Sequence, residues 1–154
     1  MEILHLYISE GHTYRGHHGQ PPGEHATAEV DEIRCVAGHG IERDRYFDHE
    51  ADFKGQITFF ADEVYQDLRA HFAGREVAPS AFRRNVITRG VELNELIGRE
   101  FEIQGVHFFG TEECRPCYWM DRAFAPGAEA AMKGRGGLRA RILTDGTLRV
   151  SRCT

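Results

Sequence analysis

The sequence predicts an α+β domain in which β-structure dominates and the strands are arranged as a barrel. Three observations carry this. Period-two apolar alternation recurs along most of the 154 residues. Two dipeptides, Gln104-Gly105 and Asp145-Gly146, separate strand-like runs as hairpin turns do. Helical periodicity is confined to short pieces, and the long alternating helices of a doubly wound sheet are absent.

The elements follow in order. Residues 2–8 alternate, with Ile3, His5 and Tyr7 on one side and Leu4, Leu6 and Ile8 on the other. Residues 9–25 are irregular, rich in glycine and proline, and hold His12, His17, His18 and His25. They read as a solvated loop or a lid. Further strands are expected at residues 28–36, 56–60, 85–88, 100–103 and 106–111, and a last hairpin at 138–144 and 147–151. The one sizeable helix spans 62–72, with Val64, Leu68 and Phe72 on one face, Ala61-Asp62 at its start and Gly74 as its stop. Shorter helical stretches are read at 94–97, 117–124 and 128–133. No linker or internal repeat divides the chain, which is read as a single domain over 1–154.

Composition narrows the function classes. A net charge of −5 argues against nucleic-acid binding, which needs a basic face. No apolar run is long enough to span a membrane, and the first residues lack a signal-peptide pattern. Four cysteines, Cys35, Cys114, Cys117 and Cys153, are too few for a disulfide scaffold, so a cytoplasmic protein with reduced thiols is expected. Every basic residue is arginine except Lys54 and Lys133, and arginine grips phosphate and carboxylate with a planar fork.

Three constellations can carry chemistry. Cys114-Arg115-Pro116-Cys117 lies at a strand-to-helix junction, where a helix dipole lowers a thiol pKa. The pair is open to four readings: half a zinc site, a thioredoxin-like redox motif, one thiolate on a soft metal, or two packed thiols. Arg83-Arg84-Asn85, followed by Gly90, Leu93 and Gly98, suits an anion and a polar ring edge. The stretch from Gly38 to Phe47 combines glycines with Asp44 and Arg45, which can orient a ligand-facing side chain.

In this order the pieces resemble the MOSC domain, named after the C-terminal part of molybdenum cofactor sulfurase. The resemblance covers residues 28–150. It includes the turn from Gly40 to Arg45, Gln56 ahead of the long helix, Arg83-Arg84-Asn85, Pro116-Cys117, and the run Gly136-Gly137-Leu138-Arg139-Ala140-Arg141 of stand-alone bacterial members. It implies a β-barrel and a cysteine, here Cys117, that ligates molybdenum of a pterin cofactor or carries sulfur. It also implies that Arg83 and Asn85, with Arg84, Arg45, Asp44 and Gln56 beside them, contact the cofactor. Relatives with the domain reduce N-hydroxylated small molecules. Two positions depart from the family pattern: Arg43 stands where many members have Gly, and Arg84 where many have Glu. Pyridoxal phosphate, bound by a separate domain of the large sulfurases, is not expected, with only two lysines for a Schiff base.

The leading expectation is thus a molybdenum-cofactor oxidoreductase supplied by a separate electron-transfer protein, since no Rossmann glycine signature or iron–sulfur cysteine array is present. The rivals are a carrier of Cys117 persulfide fed by a cysteine desulfurase, and a non-catalytic anion- or cofactor-binding domain.

Overall fold

The computed structural model describes residues 1–11, 27–73 and 76–152. The histidines of the early loop, Gly74 and Cys153 lie outside the described residues. Ten strands are present: β1 (Glu2–Ile8), β2 (Ala28–Val30), β3 (Glu32–Val36), β4 (Gly40–Ile41), β5 (Ile57–Ala61), β6 (Val86–Arg89), β7 (Glu100–Ile103), β8 (Val106–Glu113), β9 (Leu138–Ile142) and β10 (Gly146–Arg149). Three helices join them: α1 (Asp62–His71), α2 (Trp119–Ala123) and α3 (Ala128–Ala131). Short 3-10 turns occur at Pro79–Phe82 and Leu93–Leu96.

The fold is mainly β with few helices, as expected, but the ladders do not close into a barrel. They form a seven-stranded sheet, β2-β1-β6-β5-β9-β8-β7, and a three-stranded sheet, β10-β3-β4. One apolar core lies between the sheets, with Ile3, Leu6, Ile33, Phe59, Phe108 and Leu148 all buried. A second core covers the other face of the large sheet, where Tyr7, Phe60 and Ile87 meet Leu68, Trp119, Phe124 and Met132. Alternation along β5 explains this directly: Phe59 enters one core and its neighbour Phe60 the other.

The Gln104-Gly105 hairpin forms as read. Ile103 pairs with Val106, and both turn residues take positive φ, at 52° and 83°, as a type I′ turn requires. The Asp145-Gly146 hairpin does not form. β9 pairs with β5 and β8 in the large sheet, whereas β10 pairs with β3 in the small one. The turn is a corner between sheets, held by the Ala37 N–H donating to Asp145 Oδ1 at 2.8 Å. The expected strand at 28–36 likewise splits at Asp31, β2 joining one sheet and β3 the other. In β1 the register shifts between Ile3 and His5, which puts Ile3 and Leu6 into the same core instead of opposite faces.

Helix α1 packs the expected stripe on the second core, Leu68 fully buried with Val64 and Phe72 partly buried against it, and Tyr65 joins them. Its N-cap, Ala61, offers no side-chain oxygen. Helix α2 is only five residues long, shorter than the stretch 117–124 suggested.

Candidate functional site

Strands β5 and β6 run parallel, so the chain entering each arrives at the same end of the large sheet. β9 pairs antiparallel with both β5 and β8, and residues 114–120 after β8 line the same cavity as the chain entering β5 and β6. The result is an open cavity of about 730 Å³, walled by the loop before β5, by Phe82-Arg83-Arg84 and by residues 114–120. Cys114 and Cys117 both line it. Six cationic side chains, Arg45, Lys54, Arg83, Arg84, Arg115 and Arg139, face two wall carboxylates, Glu50 and Glu129. In a chain of net charge −5 this is a local concentration of positive charge, which draws anions inward.

The cysteines are not equivalent. Cys114 is buried and Cys117 is exposed. Arg139 hydrogen-bonds the Cys114 thiol. The backbone N–H of Trp119 is directed at the Cys117 thiol and the Arg84 charge lies near it, and both favour the thiolate. Burial of the thiol against the cavity wall outweighs them and pushes the Cys117 pKa up. The expectation of a thiol activated by a helix dipole is therefore reversed. A five-residue helix has little dipole to offer, and exposure by area does not prevent the wall from desolvating the sulfur. Cys35, fully buried in the sheet core, is pushed up to about 12 and is a packing residue. Alkylation of Cys117 by iodoacetamide should accordingly be slow at pH 7 and accelerate through a midpoint above the ordinary thiol value of about 8.5. A midpoint below that value, read by peptide mass spectrometry, would contradict the assignment.

The arginines are largely occupied with the protein itself. Arg84 donates to the carbonyl oxygens of Phe82 (2.7 Å), Cys114 (3.1 Å) and Gly136 (3.1 Å). It ties the cysteine segment to the start of β6. Arg45 pairs with Asp44 at 3.2 Å, both side chains almost wholly buried, and donates to the Arg83 carbonyl oxygen at 3.0 Å. Its guanidinium also lies 4.7 Å from the centre of the Tyr46 ring. Asp44 accepts from the Ser9 N–H at 3.0 Å as well, so it stations the wall and does not face a ligand. Arg83 reaches Thr27 Oγ1, Ser9 Oγ and the Gly11 carbonyl, fastening both ends of the early loop.

Asn85 and Gln56 are buried and absent from the cavity lining. Asn85 Oδ1 accepts from both the N–H and hydroxyl of Thr58, and its Nδ2 donates to the Tyr7 carbonyl. It latches β5, β6 and β1 together behind the wall. Gln56 Oε1 accepts from the Ile142 N–H, while its Nε2 is buried without a partner among the described residues. The structure thus brings Arg45, Arg83, Arg84 and Cys117 to one cavity and sets Asp44, Asn85 and Gln56 behind it.

Both departures from the family pattern find their place. Arg43 has φ 68°, the left-handed region that glycine adopts freely, so an arginine here holds a strained backbone. Arg84 supplies the carbonyl clamp just described.

Sequence reasoning assigned no role to Lys54 or Arg139. The signal for Arg139 is the alternation of β9, in which Leu138, Ala140 and Ile142 are buried and the two arginines between them point the other way. Lys54 carries no comparable signal, because its place depends on a loop fold.

Among the described residues no three His, Cys, Asp or Glu side chains are grouped to hold a metal ion. The donor set present is one accessible soft thiol beside anion-binding cations. That set fits a metal that brings most of its ligands on an anionic organic carrier, with Cys117 as the protein ligand.

Fold and site together define a mainly β domain with a thiol-bearing, cation-walled cavity. The model of the MOSC domain matches residues 15–152, and the chain belongs to that family, which is associated with molybdenum-cofactor binding. Among solved structures it is similar to YuaD from Bacillus subtilis, with a TM-score of 0.72 and 17% identity over 97% of this chain and 91% of that one. It is also similar to YiiM from Geobacillus stearothermophilus (TM-score 0.67, 16% identity, 96% and 70% covered) and YiiM from Escherichia coli (0.63, 20%, 97% and 71%). At these identities the likeness is one of fold. No curated protein matches the chain. No helix among the described residues is long and apolar enough to cross a membrane.

Proposed function

We propose that the cavity receives the molybdenum cofactor, that Cys117 is the thiolate it takes from the protein, and that the protein reduces N-hydroxylated small molecules in the cytoplasm. The observation that carries this is the exposed Cys117 thiol on the wall of a cation-rich cavity, in a chain of the MOSC family. When bound, the cofactor supplies two-electron redox chemistry. The overall change is R–NHOH + 2 e⁻ + 2 H⁺ → R–NH₂ + H₂O, with the electrons delivered by a separate protein.

The chain's own residues prepare that chemistry. Arg84 fixes the Cys114 and Gly136 carbonyls and so holds the segment bearing Cys117 against the turn that leads into β9. The Asp44–Arg45 pair stiffens the opposite wall. Cys117, whose pKa burial pushes up, is the residue that would hold the metal, and it would do so as the thiolate, so ligation would release its proton. The same raised pKa disfavours the persulfide carrier, whose thiolate must attack without a metal's help.

Protein purified from a cofactor-competent host should contain stoichiometric molybdenum, and Cys117→Ser should lose it while keeping the wild-type Tm. Equal molybdenum in both proteins, or none in either, sinks the assignment. Exposure to a cysteine desulfurase tests the carrier in parallel: a persulfide adds about 32 Da at Cys117, and its appearance on metal-free protein would favour that reading.

A further inference from the structure

The cations of the cavity differ in what already balances them. Arg45 has Asp44. Arg83 and Arg84 are committed to hydroxyl and carbonyl oxygens of the chain. The other three gather round a single carboxylate. Lys54 Nζ lies 2.9 Å from Glu112 Oε1, and Arg139 Nη1 lies 3.1 Å from the same oxygen. Arg115 acts on that carboxylate electrostatically, yet forms no ion pair with it. Lys54 and Arg139 thus share one carboxylate, and together with Arg115 they line the cavity that holds Cys117.

The Arg139 guanidinium donates to Glu112 at 3.1 Å, and the Cys114 sulfur lies near enough to favour its charge. Thr111 Oγ1 donates to the Lys54 carbonyl and so anchors the backbone from which Lys54 extends. Glu112 serves as a template that holds two cations close together. Arg115, next to Cys114 and two residues before Cys117, is exposed, as is Lys54, while Arg139 is half-buried.

We propose that Lys54, Arg115 and Arg139, assembled around Glu112, form a subsite for a phosphomonoester dianion. Over the whole cavity six cations meet Glu50, Glu129, Glu112 and Asp44, and a dianion balances the two positive charges left over. The planar guanidinium forks and the lysine ammonium supply donors for phosphate oxygens. This assigns the phosphate contact away from the Arg83-Arg84-Asn85 run, whose side chains hold the protein together. It rests on reading the cavity as the ligand site and does not require molybdenum. The phosphate can come from a pterin cofactor or from a phosphorylated substrate.

The test uses metal-free wild-type protein, Arg115→Gln, Lys54→Gln and Cys117→Ser, titrated calorimetrically at low ionic strength. The probes are inorganic phosphate, phenyl phosphate, and 6-hydroxymethylpterin with and without a phosphate group. Arg115 anchors no other described residue, so its variant should fold normally, and circular dichroism checks this. Wild type should bind the phosphorylated probes, with binding weakened about tenfold or more in Arg115→Gln and Lys54→Gln. Cys117→Ser should bind them as wild type does, which separates this subsite from the molybdenum assignment. A clear preference for the phosphorylated pterin over phenyl phosphate identifies the cofactor as the source, and equal binding identifies a phosphorylated substrate. Undiminished binding in Arg115→Gln and Lys54→Gln, or no binding to wild type, overturns the proposal.

Discussion

Asn85→Ala is expected to cost about 3 kcal/mol of stability, because two buried backbone groups lose at once the side-chain partner they have among the described residues. The Thr58 N–H donates to Asn85 Oδ1 at 3.0 Å, and the Tyr7 carbonyl accepts from Nδ2 at 3.2 Å. Both sit in a region sealed from water, where Asn85 is 1% exposed. The Thr58 hydroxyl closes the loop, donating to Oδ1 and accepting from the Asn85 N–H. For a domain of this size the loss corresponds to a fall in Tm of about 10 °C. The result discriminates between two roles. A latch residue lowers Tm and leaves the molybdenum content per folded chain unchanged. A cofactor-contacting residue does the reverse, so an unchanged Tm with depleted molybdenum would return Asn85 to the ligand.

The case of Asn85 shows where the sequence was legible. The segment Arg83-Arg84-Asn85 stood out because these residue types bind anions, and the structure does place it at the cavity. Its side chains nevertheless turn to different tasks. Polar residues at a strand entrance have two kinds of client, a ligand and the orphaned backbone of neighbouring strands, and composition does not separate them. Local patterns were read well where local physics decides them. The turn at Gln104-Gly105 is one example, since positive φ at both positions suits that hairpin alone. Asp145-Gly146 presents the same signal, yet the partner of β10 is β3, more than a hundred residues earlier. That pairing is settled by Leu148 and Ile33 meeting in the core between the sheets, which no short window contains. The Cys117 pKa failed for a related reason. The helix dipole was a local expectation, whereas desolvation comes from walls contributed by distant parts of the chain.

Gly136→Ala should dismantle the site while leaving most of the fold in place. A Cβ on Gly136 would collide with the Cys114 carbonyl oxygen and approach Pro116 Cδ to 2.7 Å and Pro116 N to 2.9 Å. These are backbone and ring atoms without a flexible end to swing aside, so the whole 114–116 segment must move. Its displacement breaks the Arg84 clamp, which spans the Cys114 and Gly136 carbonyls, and carries Cys117 off the cavity wall. Backbone strain plays no part, since Gly136 is not among the residues with positive φ. The expected readouts are a destabilisation of about 2–3 kcal/mol, loss of bound molybdenum, and a Cys117 alkylation midpoint shifted toward the ordinary thiol value as the desolvating wall withdraws. Gly134→Ala makes an informative companion. Gly134 has φ 79° with open space around its Cβ position, so alanine there strains the backbone without touching the cysteine segment. If both variants lower Tm but only Gly136→Ala moves the alkylation midpoint and empties the metal site, close packing of Gly136 against residues 114–116 is what positions Cys117. If Gly136→Ala keeps its molybdenum and its midpoint, the segment is more pliable than its carbonyl clamp implies, and Cys117 owes its position to the cofactor.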